Sequence, residues 1–344
     1  MKILHSLLIY LFTSFTFAQS SIEIGKLYNI KSKFLNENRE IMVSLPESYN
    51  NSNFALASYP VVYVLDGESH FQFINAVTER FSGNNYPTLP ELIIVGIKST
   101  DRYRDFTSTT QSDQLSSGKS ENFTNFLQKE VIPFISKNYR TTDYKILIGH
   151  SLSGLYALDQ SIKRPNQFDA YIAHDPSIWW DNLKFLKDID TTTNVLKTNR
   201  VFISQVDAKN GTGRLQTHYN GIQSVRNKWE TNSKKGPIFK YIQYEGEDHG
   251  TVPFKANLDA IRWVFDGFQI EIRELANNKN LLENSFENFS KSRNKIFVPS
   301  ENYLSKVVAY LKRVNATESL HEVLKYYEKI YPSSKQLKKY KSEL

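Results

Sequence analysis

The sequence predicts an α/β sandwich around a mostly parallel central sheet, with a small C-terminal α-helical segment attached. Three observations carry that expectation. Short apolar runs recur between residues 22 and 244, segments of helical periodicity lie between them, and beyond residue 278 the pattern is helical alone.

The candidate strands are Ile22–Ile30, Glu40–Ser44, Val61–Leu65, Leu92–Ile97, Lys145–Ile148, Ala170–Ala173, Val201–Gln205 and Phe239–Tyr244. Val61–Leu65 and Leu92–Val95 are continuous apolar runs rather than alternating ones, as strands covered on both faces should be. The first two strands, joined through Asn36-Glu37-Asn38, read as an antiparallel edge. Between strands, Phe123, Phe126, Leu127, Val131, Ile132 and Ile135 recur at helical spacing.

Past the polar stretch Asn277–Asn280, Tyr303, Leu304, Val307, Val308 and Leu311 mark one helix, and Leu320, Val323, Leu324 and Tyr327 another. Such a pair is similar to one degenerate tetratricopeptide-type unit, which cannot bury its own face and should pack on the preceding domain or on a partner. At the other end, Met1-Lys2, an apolar block over Ile3–Phe12 and Thr16-Phe17-Ala18 have the form of a cleaved secretory signal. The expected organisation is therefore a signal peptide at 1–18, an α/β domain at 19–278 and a helical segment at 279–344. With no cysteine for disulfides or lipid attachment, a bacterial periplasmic or secreted protein is the best fit.

Charge narrows the partners. The chain carries 43 Lys plus Arg against 36 Asp plus Glu, but residues 279–344 hold 13 and 7 of these while residues 19–278 hold 29 of each. The main domain is neutral, so no nucleic-acid partner is expected. Beyond the N-terminus no window is apolar for the roughly 18 residues that a membrane span needs.

The most informative segment is Tyr144–Leu158, in which an apolar strand runs straight into Gly149-His150-Ser151-Leu152-Ser153-Gly154 and then a helix. A serine in that context is a nucleophile elbow, with its hydroxyl exposed by a strained turn. Position 153 is Ser where the pattern wants Gly. An elbow serine needs a base. Of the seven histidines, His5 leaves with the signal and His321 is in the tail, while His150 should face away from the nucleophile in such a turn and His218 falls in a probable helix. His70, His174 and His249 remain, and His249 follows the last strand, where α/β-hydrolases place the histidine. The acid is expected after the preceding strand, at Asp207, with Glu247 and Asp248 as alternatives. For the oxyanion hole, the backbone N–H of Leu152 and one from Asp66-Gly67-Glu68 are in position, Gly67 permitting unusual backbone geometry.

These residues also match a family. Glu40–Pro46, Tyr59–Gly67, Asp101–Thr107, Gly149–Gly154, Asp175–Asp181 and Glu247–Pro253 together resemble the esterase family of esterase D and the bacterial enterobactin-type siderophore esterases, over roughly residues 22–270. The resemblance implies an α/β-hydrolase sandwich that cleaves carboxylic esters, with Ser151 and His249 carrying the chemistry. Some siderophore esterases that it resembles work with a Ser–His pair and no clear acid.

Two features are candidates for the substrate pocket. Arg102 and Arg104 follow the Leu92–Ile97 strand and suit an acidic or catecholate group, unless Asp101 and Asp105 engage them in a salt-bridged loop. Trp179 and Trp180 suit an aromatic acyl group, or else core packing. The seven histidines lack HExxH-type spacing, so no metal or organic cofactor is expected. The expected activity is a serine carboxylic-ester hydrolase acting on a small-molecule ester. An acyltransferase of the same fold and a non-catalytic ligand-binding relative are the alternatives.

Overall fold

The computed structural model describes residues 21–83, 87–191, 199–207, 212–231 and 237–343. The signal expected over 1–18 lies outside these. Eight strands form one sheet: β1 (Lys26–Ser32), β2 (Glu37–Ser44), β3 (Tyr59–Leu65), β4 (Ile93–Ile97), β5 (Thr141–His150), β6 (Ala170–His174), β7 (Arg200–Val206) and β8 (Ile238–Tyr244). Their order is β1-β2-β4-β3-β5-β6-β7-β8, antiparallel from β1 to β4 and parallel from β4 through β8. Every expected strand is present. Those read as continuous apolar runs are the central ones: all seven residues of β3 and all five of β4 are buried, because helices cover both faces.

The helices in the connections are α1 (Gly67–Gly83), α2 (Arg102–Phe106), α3 (Ser120–Phe126), α4 (Ile132–Asn138), α5 (Leu152–Lys163), α6 (Trp180–Thr191), α7 (Arg214–Thr231) and α8 (Val252–Val264). A π-turn at Leu127–Val131 joins α3 to α4. It keeps the predicted apolar face buried at Phe123, Phe126, Leu127, Val131 and Ile135. No helix among the described residues is long and apolar enough to cross a membrane.

The C-terminal segment supplies α9 (Leu281–Arg293), α10 (Glu301–Arg313), α11 (Thr317–Ile330) and α12 (Lys335–Ser342). Leu304, Val307, Val308, Leu311, Leu320, Val323, Leu324 and Tyr327 are all buried, in one continuous apolar cluster with Val62, Ile146 and the inner face of α8. Its polar ties reach the amino ends of the strands. The Ala55 N–H donates to the Glu301 carboxylate, Asn53 O accepts from the N–H groups of Lys335 and Gln336, and Lys295 pairs with Asp143. The segment therefore sits at the edge of the sheet opposite Ser151.

Candidate active site

Parallel strands leave their carboxyl ends along one edge, where α/β proteins bind ligands. Here β5 ends at His150, α5 begins at Leu152, and Ser151 between them is held at φ 61°, ψ −117°. Few non-glycine residues tolerate that region. The turn is close-packed: a Cβ on Gly149 would lie 2.2 Å from Ser153 O, and one on Gly154 3.2 Å from His174 O. The Ser151 N–H donates to His174 O and Ser151 O accepts from Ser177 N–H, which binds the elbow to the loop after β6.

His249 lies in the loop between β8 and α8. Its Nδ1 is 2.6 Å from Asp175 Oδ2. Asp175 follows β6, is fully buried, and has a positive φ of 40°. Burial pushes its carboxyl up, but the imidazoles of His218 and His249 outweigh that and hold it far below the usual carboxylate range. His218 Nε2, on α7, is 3.0 Å from the same oxygen without the alignment of a hydrogen bond.

Asp207 was expected to orient His249, and the structure corrects that expectation. Asp207 is exposed beyond β7, its N–H donating to Tyr244 O, while the carboxylate on His249 is Asp175, one strand nearer the elbow. The reason is register: His150 of β5 is paired directly with His174 of β6, so residue 175 emerges beside residue 151. The chain order Ser, Asp, His still holds. Neither alternative fits better, since Asp248 accepts the N–H groups of Gly250 and Thr251 at the start of α8 and Glu247 lies 3.8 Å from Lys255.

His150 lies with its ring among the other imidazoles. Its ring centroid is 4.6 Å from that of His249 and 5.6 Å from that of His70. Burial, with the neighbouring His249 and His70, pushes His150 down to about 3, so it is neutral at working pH. Among the described residues no hydrogen bond joins Ser151 Oγ to His249, and Oγ lies 3.1 Å from Ser177 Oγ.

Because β3 and β5 are neighbours, α1 and α5 start side by side. Gly67, Glu68 and Leu152 stand in their first turns, where N–H groups have no intrahelical acceptor and the helix dipole is positive. One detail differs from the sequence reading. The left-handed residue is Asp66, at φ 51°, whereas Gly67 is needed for close approach: a Cβ there would lie 2.7 Å from the backbone of Gly96 and Ile97.

The expected substrate arginines are engaged within the protein. Arg102 gives Nε and Nη2 to the two oxygens of Asp66 and Nη2 also to His150 O. Arg104 bonds Glu37 and Asp105. Asp105 was foreseen as a partner, but Asp66 and Glu37 lie too far away in sequence to be read. Trp180 is buried, with Nε1 donating to Thr109 Oγ1. Trp179 is half-buried, under the Arg214 guanidinium.

Asp175, His218 and His249 bring three ligand atoms within 4.8 Å of one another. At 2.6 Å, however, the Asp175–His249 contact is a hydrogen-bond separation. Two ligands on one tetrahedral zinc stand about 3.3 Å apart.

The chain is similar in sequence and fold to known proteins. Residues 32–261 match the model of the family described as "Putative esterase". The chain belongs to that family. It is 28% identical over 244 residues to the ferri-bacillibactin esterase BesA of Bacillus subtilis, covering 63% of this chain and 82% of that protein. A siderophore triacetylfusarinine C esterase of Aspergillus fumigatus is 28% identical over 158 residues, covering 43% and 54% of the two chains. Among solved structures, an IroE-like serine hydrolase from Shewanella oneidensis superposes with a TM-score of 0.78 at 28% identity, covering 87% of this chain and 97% of that one. The family is one of ester hydrolases, and the sandwich is that of an α/β-hydrolase.

Proposed function

We propose that this esterase is a serine hydrolase working through an acyl-enzyme, with Ser151 as nucleophile, His249 as base and Asp175 as its orienting acid. The observation that carries the reading is the strained Ser151 elbow beside the 2.6 Å His249–Asp175 hydrogen bond. With Nδ1–H donated to Asp175, His249 keeps the Nε2 lone pair for the Ser151 proton. Oγ attacks the ester carbonyl, and His249 returns the proton to the departing alkoxide. Water then repeats the sequence on the acyl-enzyme. The carbonyl oxygen, negative in each tetrahedral intermediate, is received by N–H groups at the starts of α1 and α5. Substrate binding has to complete the Ser151–His249 contact, as it does where the hydrogen bond is long in the free enzyme.

The relatives' names favour siderophore-type esters, and the half-buried Trp179, four residues after Asp175, suits an aryl acyl group. The form of residues 1–18 supports action in the periplasm or outside the cell. Residues 279–343 are a cap on the far edge of the sheet, outside the site. The test is labelling of Ser151 by a fluorophosphonate, followed by turnover on aryl acetate, feruloyl, acylated-sugar and tri-catecholate lactone esters. An unlabelled serine in folded protein would overturn the mechanism, and turnover confined to another ester class would redirect the substrate.

A further inference from the structure

Ser153 stands where the elbow pattern has glycine, and it is fully buried. Its Oγ lies 2.6 Å from Asp66 Oδ2 and accepts the His150 N–H at 2.8 Å. A second acceptor, His150 O, lies 2.9 Å from Oγ. A hydroxyl has one proton, and the shorter contact to a charged oxygen claims it. Asp66 is itself 4% exposed and takes Ser99 Oγ at 2.6 Å as well as the two donors of Arg102. Burial alone would raise its carboxyl, but Arg102 and the two hydroxyls hold it below its ordinary value. Both of its oxygens are thus filled in a charged network with no gap.

The ends of this bridge matter. Asp66 immediately precedes Gly67, and Ser153 immediately follows Leu152. We propose that the Asp66–Ser153 hydrogen bond, backed by Arg102, is a clamp that sets the spacing of the two oxyanion donors, which makes Asp66 and Ser153 positioning residues for the reaction. The proposal rests on the serine-hydrolase reading above. Gly67 and Leu152 are each one residue from a clamped end, so slack in the clamp becomes slack in the hole. Asp66 also needs the fixing, because its left-handed backbone is a conformation that its neighbours must impose.

The experiment compares Ser153→Ala, Ser153→Gly, Asp66→Asn and the Ser153→Ala/Asp66→Asn double variant on one aryl ester. Removing an oxyanion donor costs roughly a hundredfold or more in kcat, and misplacing one should cost about ten- to a hundredfold. The expected result is a fall in kcat of that size with KM within about twofold. The affinity of an aryl boronic acid, a tetrahedral mimic, should fall in parallel, and the double variant should be no worse than the worse single one. Ser153→Gly restores the common elbow pattern and keeps the test open if Asp66→Asn fails to fold. Folded variants with lower Tm but unchanged kcat and boronate affinity would overturn the clamp while leaving the hydrolase intact. A parent protein that neither labels nor turns over would instead overturn the hydrolase reading, and the clamp's role with it.

Discussion

The two edges of the sheet are built on opposite terms. At the carboxyl edge three strands, β3, β5 and β6, are each followed by a non-glycine residue at positive φ: Asp66, Ser151 and Asp175. Two of these are buried carboxylates, and the His70, His150, His249 and His218 rings are packed successively against one another. At the amino edge Tyr144, Phe265, Phe268, Phe289 and Phe297 pack edge to face under the C-terminal helices. Strands of about six residues hold the two edges about 20 Å apart. Strain and buried charge sit where chemistry needs preorganised groups, and apolar burial at the far edge offsets their cost. Residues of one edge should therefore govern rate, and those of the other stability.

The strongest break of that division is in the proposed nucleophile and base. Ser151→Ala and His249→Ala should each lower ester turnover by roughly a thousandfold or more with Tm nearly unchanged, checked by steady-state kinetics beside thermal melts. Wild-type turnover in folded Ser151→Ala would remove the edge's assigned role. Next comes the acid. Asp175→Asn should lower kcat by about a hundredfold or more with little change in KM, while Asp207→Asn should cost less than about fivefold. The reverse ranking would show that the register argument picked the wrong carboxylate.

The opposite edge should respond in the opposite currency. Leu304 of α10 is fully buried, so Leu304→Ala should cost about 2–5 kcal/mol in denaturant unfolding and leave kcat within about twofold. A matching loss of turnover would mean that the helical cap reaches the site.

The smallest effect sharpens the comparison through pH. Burial holds His174 down at about 4 and His150 at about 3, and it lowers His70 as well, all from an ordinary value of 6.5. Below that value the unfolded chain binds protons that the folded chain refuses. Stability is then complete above 6.5 and falls as pH drops towards about 4 and 3. Asp175 acts lower still: its contribution is present above its ordinary 3.8 and is lost below it. Denaturant titrations at pH 7, 6 and 5 should show a decline that His174→Gln makes shallower. Stability constant across that range would contradict the burial of these imidazoles.

How much of this was legible from residues alone follows from the distance over which each feature is written. Continuous apolar runs give β3 and β4, the glycines around Ser151 give the elbow, and position after the last strand gives His249. Each of these is encoded within about ten residues, where periodicity and turn chemistry act. The tertiary structure decided what depends on strands meeting. The pairing of His150 with His174 chose Asp175 from among chemically equivalent carboxylates. The neighbouring of β3 and β5 put Asp66 against Ser153, 87 residues apart, and Arg102 pairs with the same Asp66. A lone carboxylate looks the same in sequence whether it meets water, an arginine or an imidazole. Only the register of the sheet determines which of these it faces.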